Sequence, residues 1–214
     1  MTGNRYPLQT MQTQKADIRT LILSVARDEF IRHGVKNTSI RTISRLSGVA
    51  VGNIYNYFKS KDDLLKHVLA PLLQIFEDYL MQNRSQTYLT TDLFEYDRYF
   101  DLMKGQVDAL MKPYRDELRL LMTETAGTSL QNFLGIFTQR MRETGFQYIR
   151  IMKKKYPHIN DDISPHFIQV LCSLWISVLK EIATGSDITE SEIDKLIADY
   201  VKFGIGGWKR LLEI

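Results

Sequence analysis

The chain has 214 residues with a mean hydropathy of −0.22, 44% apolar and 25% charged side chains, and one cysteine. These values describe a globular chain long enough to bury a core in one or two domains; its 5 prolines and 12 glycines exclude collagen-like and low-complexity chains. The formal charge of +3 is divided unevenly: between residues 15 and 66 ten Lys and Arg face five Asp and Glu, a net +5, whereas residues 67–214 carry −3. Such a split fits a polyanion-binding module on a carrier domain, or ordinary surface scatter.

Met1 to Gln14 holds one basic residue and no apolar run, so a flexible tail is expected rather than a signal peptide. Helical periodicity then takes over, and sustained two-residue alternation is absent; the expected fold class is all-α. In Lys15–His33 the residues Ile18, Leu21, Ile22, Val25, Ala26 and Phe30 form one apolar stripe, and Gly34 follows as a stop. Thr38 or Ser39 can cap a second helix, which turns Ile40, Ile43 and Leu46 inward. Ser47-Gly48-Val49 breaks that helix, glycine accepting the backbone angles a sharp turn requires. A short helix runs from about Ala50 to Phe58. Ser60-Lys61-Asp62-Asp63 then opens a long one through Leu64, Leu65, Val68 and Leu72, bent at Pro71. Residues 82–91 read as a loop. Further helices are expected at about 94–112, 114–124, 128–155, 164–184 and 189–213, punctuated by Pro113, Gly127, the interval from Pro157 to Pro165, and Gly185-Ser186-Asp187.

The constellation from Thr38 to Phe58 carries the chemistry. Two short helices joined by a glycine-bearing turn hold the second one proud of the surface, where it can enter a DNA major groove. Its outward residues are Ala50, Val51, Gly52, Asn53, Tyr55, Asn56 and Tyr57. Small groups permit close approach, and amides or phenols can read base edges or donate to phosphate. Arg41, Arg45, Lys59 and Lys61 flank the helix as sources of electrostatic attraction. The bland reading is that Tyr55 and Tyr57 only pack in the core.

Thr38-Ser39-Ile40-Arg41-Thr42-Ile43, Ser47 through Phe58, and Ser60-Lys61-Asp62-Asp63-Leu64-Leu65 closely resemble the DNA-binding head of TetR-family transcriptional regulators. The resemblance covers residues 15–66 and rests on a glycine before the recognition helix, a Gly-x-x-Tyr-x-x-Phe frame and a Ser-Lys-acid helix start. It implies a homodimer on palindromic double-stranded operator DNA, released when a small-molecule effector binds the larger domain, residues 67–214. Carried over by position, Thr38, Ser39 and Arg41 meet phosphate. Ala50, Val51 and Gly52 lie at the groove, and Tyr55 and Asn56 near base or backbone. Tyr57 and Lys61 contact phosphate. Many relatives have Ser-Lys where this chain has Ala50-Val51, which shifts base readout toward Tyr55, Asn53, Asn56 and van der Waals contact.

In the larger domain Phe133, Phe137, Met141, Cys172 and Trp175 fall on helical spacing and are candidate linings for a hydrophobic or aromatic effector; plain core is the alternative for each. The last two helices, about 164–184 and 189–213, are the expected homodimer seam. Gly204, Gly206 and Gly207 inside the final pattern indicate close helix approach or a local break. Inventory argues against an enzyme. The four histidines show no metal-ligand spacing, and there is no Gly-x-Ser-x-Gly elbow or Walker loop. No metal or cofactor is therefore expected. The single Cys172 excludes an internal disulfide and fits a reducing cytoplasm. No uninterrupted apolar run approaches the ~20 residues of a membrane span, so no membrane partner is expected. The rival reading is a helical protein- or membrane-interaction module that does not bind DNA.

Overall fold

The computed structural model describes residues 8–82 and 89–214. They form eight α-helices, with a short 3-10 turn at Thr91–Phe94 and no strand among the described residues. The helices are α1 (Leu8–Asn37), α2 (Ile40–Ser47), α3 (Val51–Tyr57), α4 (Lys61–Gln82), α5 (Tyr96–Thr123), α6 (Phe133–Lys155), α7 (Pro165–Thr184) and α8 (Glu190–Leu212). The chain divides into two compact units. One comprises Met1–Pro71 and Thr123–Leu130; the other comprises Leu72–Met122 and Gln131–Ile214.

Several boundaries differ from those expected. Residues 8–14, read as tail, are already helical; residues 1–7 of that tail lie outside the described residues. No Pro or Gly stands between Leu8 and Gln14, so nothing local stops the helix from extending. Of the loop placed at 82–91, residues 83–88 also lie outside. The helices expected on either side of Pro113 do meet at a break there, a kink at which Tyr114 leaves helical geometry (φ −134°, ψ 21°), as expected where a proline removes a helical hydrogen bond and crowds the preceding turn. Gly204, Gly206 and Gly207 do not break α8, which runs on to Leu212.

Within the first unit Ile22, Ala26 and Phe30 of α1, together with Ile40, Ile43, Ile54, Phe58, Leu64 and Leu65, are all buried. Leu21 and Leu46, expected inside, are instead exposed (45% each). The inward stripe on both helices is narrower than the apolar pattern suggests. Phe58 anchors the end of α3. The Arg19 guanidinium lies 5.5 Å from its ring centroid, and His67 packs edge-on at 5.2 Å. The second unit is built around α4 to α8, with an aromatic group in which Phe133 and Phe137 stack on one another and meet Phe76 edge-on. Ser164 and Pro165 start α7, and a capping box between Thr189 and Glu192 starts α8.

Candidate nucleic-acid interface and effector cavity

Three local devices hold α3 outward. Ser39 caps α2, its hydroxyl accepting from the Thr42 amide at 3.1 Å. Gly48 closes α2 in the left-handed region (φ 69°, ψ 5°), a conformation glycine adopts without a Cβ penalty. The Ser44 hydroxyl then donates to the Val49 carbonyl at 2.7 Å, pinning the turn to α2. With Ile54 and Phe58 buried beneath it, α3 presents Ala50, Gly52, Tyr55 and Asn56 to solvent, with Val51, Asn53 and Tyr57 half-buried. Tyr55 is 50% exposed. A Cβ added at Gly52 would meet nothing within 4 Å, so the helix surface is open there. Asn56 donates to Asn53 at 3.4 Å, which lines up two amides on one face. Arg41, Arg45 and Lys59 are exposed around this surface. Small groups, amides, a phenol and flanking cations match what base edges and phosphates accept.

The start of α4 is tied down twice in the same unit. Asp63 accepts from the Lys59 amide at 2.8 Å while Ser60 accepts from the Asp63 amide at 3.0 Å, a reciprocal cap. Asp62 accepts from the Ser129 amide (2.8 Å) and hydroxyl (3.1 Å), so the connection between α5 and α6 is fastened to the head.

The second unit contains two cavities, of about 190 and 590 Å³. The smaller is walled by Tyr79, Tyr99, Tyr148, Trp175 and Tyr200, with Met141 and Cys172, and among the described residues no Asp, Glu, Lys, Arg or His lines it. Burial pushes the Tyr99 phenol up to about 12 and raises Tyr148 and Tyr200 further. Burial likewise pushes the Cys172 thiol up to about 11, with Arg142 opposing weakly. The wall is therefore uncharged at neutral pH. Tyr79, Leu102, Gln106 and Trp175 line both cavities. Among the described residues no cluster of His, Cys, Asp or Glu could hold a metal ion.

Comparison with known proteins matches residues 22–68 to the bacterial regulatory proteins of the tetR family, the segment that builds α3 and its support. The head of the chain is thus similar to the DNA-binding segment of TetR-family regulators. An HTH-type transcriptional regulator of Staphylococcus aureus is 27% identical over 123 residues, which is 58% of this chain and 62% of the relative. The chain thus spans less than two thirds of the length of the curated relatives it matches. A candidate TetR-family transcriptional regulator from Syntrophomonas wolfei superposes with a TM-score of 0.63 at 26% identity, over 90% of this chain and 97% of that one. NalD, the secondary repressor of the MexAB-OprM multidrug efflux pump in Pseudomonas aeruginosa, shares the fold with a TM-score of 0.67 at 21% identity, over 94% and 98% of the two chains. The relatives matched in sequence are named as transcriptional regulators.

The structure revises three residues of the expected site. Thr38 is 2% exposed, and its hydroxyl donates inward to the carbonyls of Gly34 (2.9 Å) and Glu29 (3.2 Å), so it has no hydrogen left for a phosphate. The Lys61 ammonium also turns inward, donating to the carbonyls of Val35 (2.7 Å) and Thr38 (2.9 Å) rather than standing out as a phosphate clamp. Phe133 lines neither cavity, because it packs against Phe76 and Phe137. Met141 and Cys172 line the smaller cavity, Phe137 the larger, and Trp175 both. Tyr148 belongs to the same helical stripe as Phe137 and Met141, but sequence reasoning missed Gln106, Tyr79, Tyr99 and Tyr200. The only signal for these three tyrosines was their place at inward positions of α4, α5 and α8, and nothing local says that they converge.

Proposed function

We propose that this chain is a TetR-family repressor that binds palindromic operator DNA as a homodimer and is released by a small hydrophobic or aromatic effector. The observation that carries the reading is α3: seven residues held on a capped, glycine-closed turn with Tyr55, Asn56 and Gly52 exposed and cations alongside. Ser39, Arg41, Ala50, Val51, Gly52, Asn53, Tyr55, Asn56 and Tyr57 form the proposed DNA surface. Phosphate contacts supply most of the affinity and α3 the sequence preference.

A second copy of the chain is the partner that α7 and α8 fit. α7 is long and apolar enough to cross a membrane by length and composition, yet its buried face, Ile168, Trp175, Val178 and Leu179, belongs to the core of its unit. On α7 Phe167 (43%), Val170 (60%) and Leu174 (37%) remain exposed, as does Phe203 (68%) on α8. An apolar surface of this kind is what a self-complementary helical interface covers. The effector reading rests on the cavities. α4 carries Lys61 to Pro71 of the head and continues to Tyr79 in the cavity wall. A ligand that fits one position of that helix better shifts the population of head spacings. A regulator acting this way works in the cytoplasm.

Tyr55→Ala tests the reading. Its affinity for operator selected from randomised duplex DNA falls about tenfold, on the scale of one lost base or phosphate contact, while circular dichroism is unchanged. Wild-type binding to duplex DNA that is absent, or indifferent to salt, overturns the reading and favours an interaction module.

A further inference from the structure

The chemistry of the smaller cavity restricts what it accepts. Among the described residues its wall holds no ionisable side chain that is charged at neutral pH, so an ionised ligand would be desolvated there without a counter-charge in that wall. Among its polar atoms the Gln106 Oε1 stands apart: it is buried and has no hydrogen-bond partner among the described residues. Gln106 also lies where both cavities share a wall, beside Tyr79 and Trp175. A buried carbonyl oxygen without a donor costs free energy that a ligand N–H or O–H would recover. At about 190 Å³ the cavity is somewhat larger than the roughly 150 Å³ that accommodates benzene, so it suits one substituted ring or a small fused pair. Trp175 and Tyr200, 5.3 Å apart and tilted by 35°, offer aromatic faces to such a ring.

We propose that the effector class is a neutral aromatic molecule carrying one hydrogen-bond donor, which it gives to Gln106 Oε1. This deepens the effector reading above and rests on it. A charged aromatic is excluded by the uncharged wall, and an aromatic lacking a donor leaves the Gln106 oxygen unpaired.

Calorimetric titration of the full chain with indole, 1-methylindole and indole-3-acetate at pH 7 tests this, since the first two differ only by methylation of the donor nitrogen. Indole binds about tenfold tighter than 1-methylindole, the scale of one buried hydrogen bond, and indole-3-acetate binds more weakly than indole. In Gln106→Leu the affinity for indole falls to that of 1-methylindole, while 1-methylindole is little changed. The proposal is overturned by equal affinities in the wild type, by a preference that survives in Gln106→Leu, by tighter binding of indole-3-acetate, or by binding of none of the three. Duplex binding by the unliganded chain is measured in parallel. DNA binding without the indole preference removes only this assignment, and loss of DNA binding removes the regulator reading instead.

Discussion

Replacing Lys61 with Met separates a structural role from a phosphate-clamping one. The Lys61 ammonium bridges the carbonyls of Val35 and Thr38, 2.7 and 2.9 Å away, and so ties the α1–α2 connection to the start of α4. Met retains the apolar stem and removes both donors. Hydrogen bonds from a charged group contribute about 1.5–3 kcal/mol each, and at this half-buried position water recovers part of the loss, which leaves a net destabilisation of about 2 kcal/mol. For a chain of this length that lowers Tm by roughly 4–8 °C. Well below Tm the slope of log affinity against log salt for operator DNA stays the same, because no phosphate contact has been removed. A phosphate-clamping lysine behaves in the opposite way, with Tm preserved and the slope reduced by about 0.9 per head. Differential scanning calorimetry and a salt titration together decide. Unchanged Tm with a reduced slope refutes the reasoning.

Other consequences are equally direct. Burial raises the Asp62 carboxyl, but hydrogen bonds from the Ser129 amide and hydroxyl, with Lys66 3.5 Å away, outweigh it and hold Asp62 below its ordinary value of 3.8. A depressed folded-state pKa gives stability that is present above about pH 4 and lost as pH falls through the folded value. Ser129→Ala therefore flattens the acid limb of stability in denaturant titrations between pH 3 and 6, and an unaltered limb counts against the tether. With its thiol at about 11, Cys172 reacts slowly with iodoacetamide at pH 7.5 and close to tenfold faster per pH unit up to pH 10; mass spectrometry that finds rapid labelling at neutral pH contradicts its burial. Phe203→Asp or Val170→Asp places a charge on the exposed apolar face and converts dimer to monomer in analytical ultracentrifugation. A dimer that persists in both variants places the interface elsewhere.

The head was legible because its signals are local. A serine two residues after the end of α1, a glycine at the end of α2 and a Ser-Lys-acid sequence before α4 each determine their own backbone, and the structure uses Ser39, Gly48 and Ser60 in those roles. Which of two neighbouring hydroxyls faces outward was not legible. Thr38 and Ser39 are equally plausible caps in the sequence, yet Thr38 points at carbonyls of the preceding helix while Ser39 caps α2. Lys61 was misread for a related reason: its acceptors, Val35 and Thr38, lie 26 and 23 residues away. Leu46 was misread because an apolar residue on a short helix has too little neighbouring structure to cover it.

Along the second unit, period and punctuation located α6, α7 and α8 within a few residues, apart from the start of α6, placed at 128 and found at Phe133. They did not show that Phe137 borders a cavity while Phe133, one turn earlier, does not.

By itself the order of residues determined where helices start, stop and bend, and that one short helix carries groups suited to a DNA groove, because caps, glycine conformations and apolar periodicity act within a few bonds. Only the tertiary structure decided which polar atoms turn inward, where apolar surface stays exposed, and that tyrosines from four helices and Gln106 enclose one uncharged space. Direction and concavity arise from packing between distant segments, and no local preference encodes them.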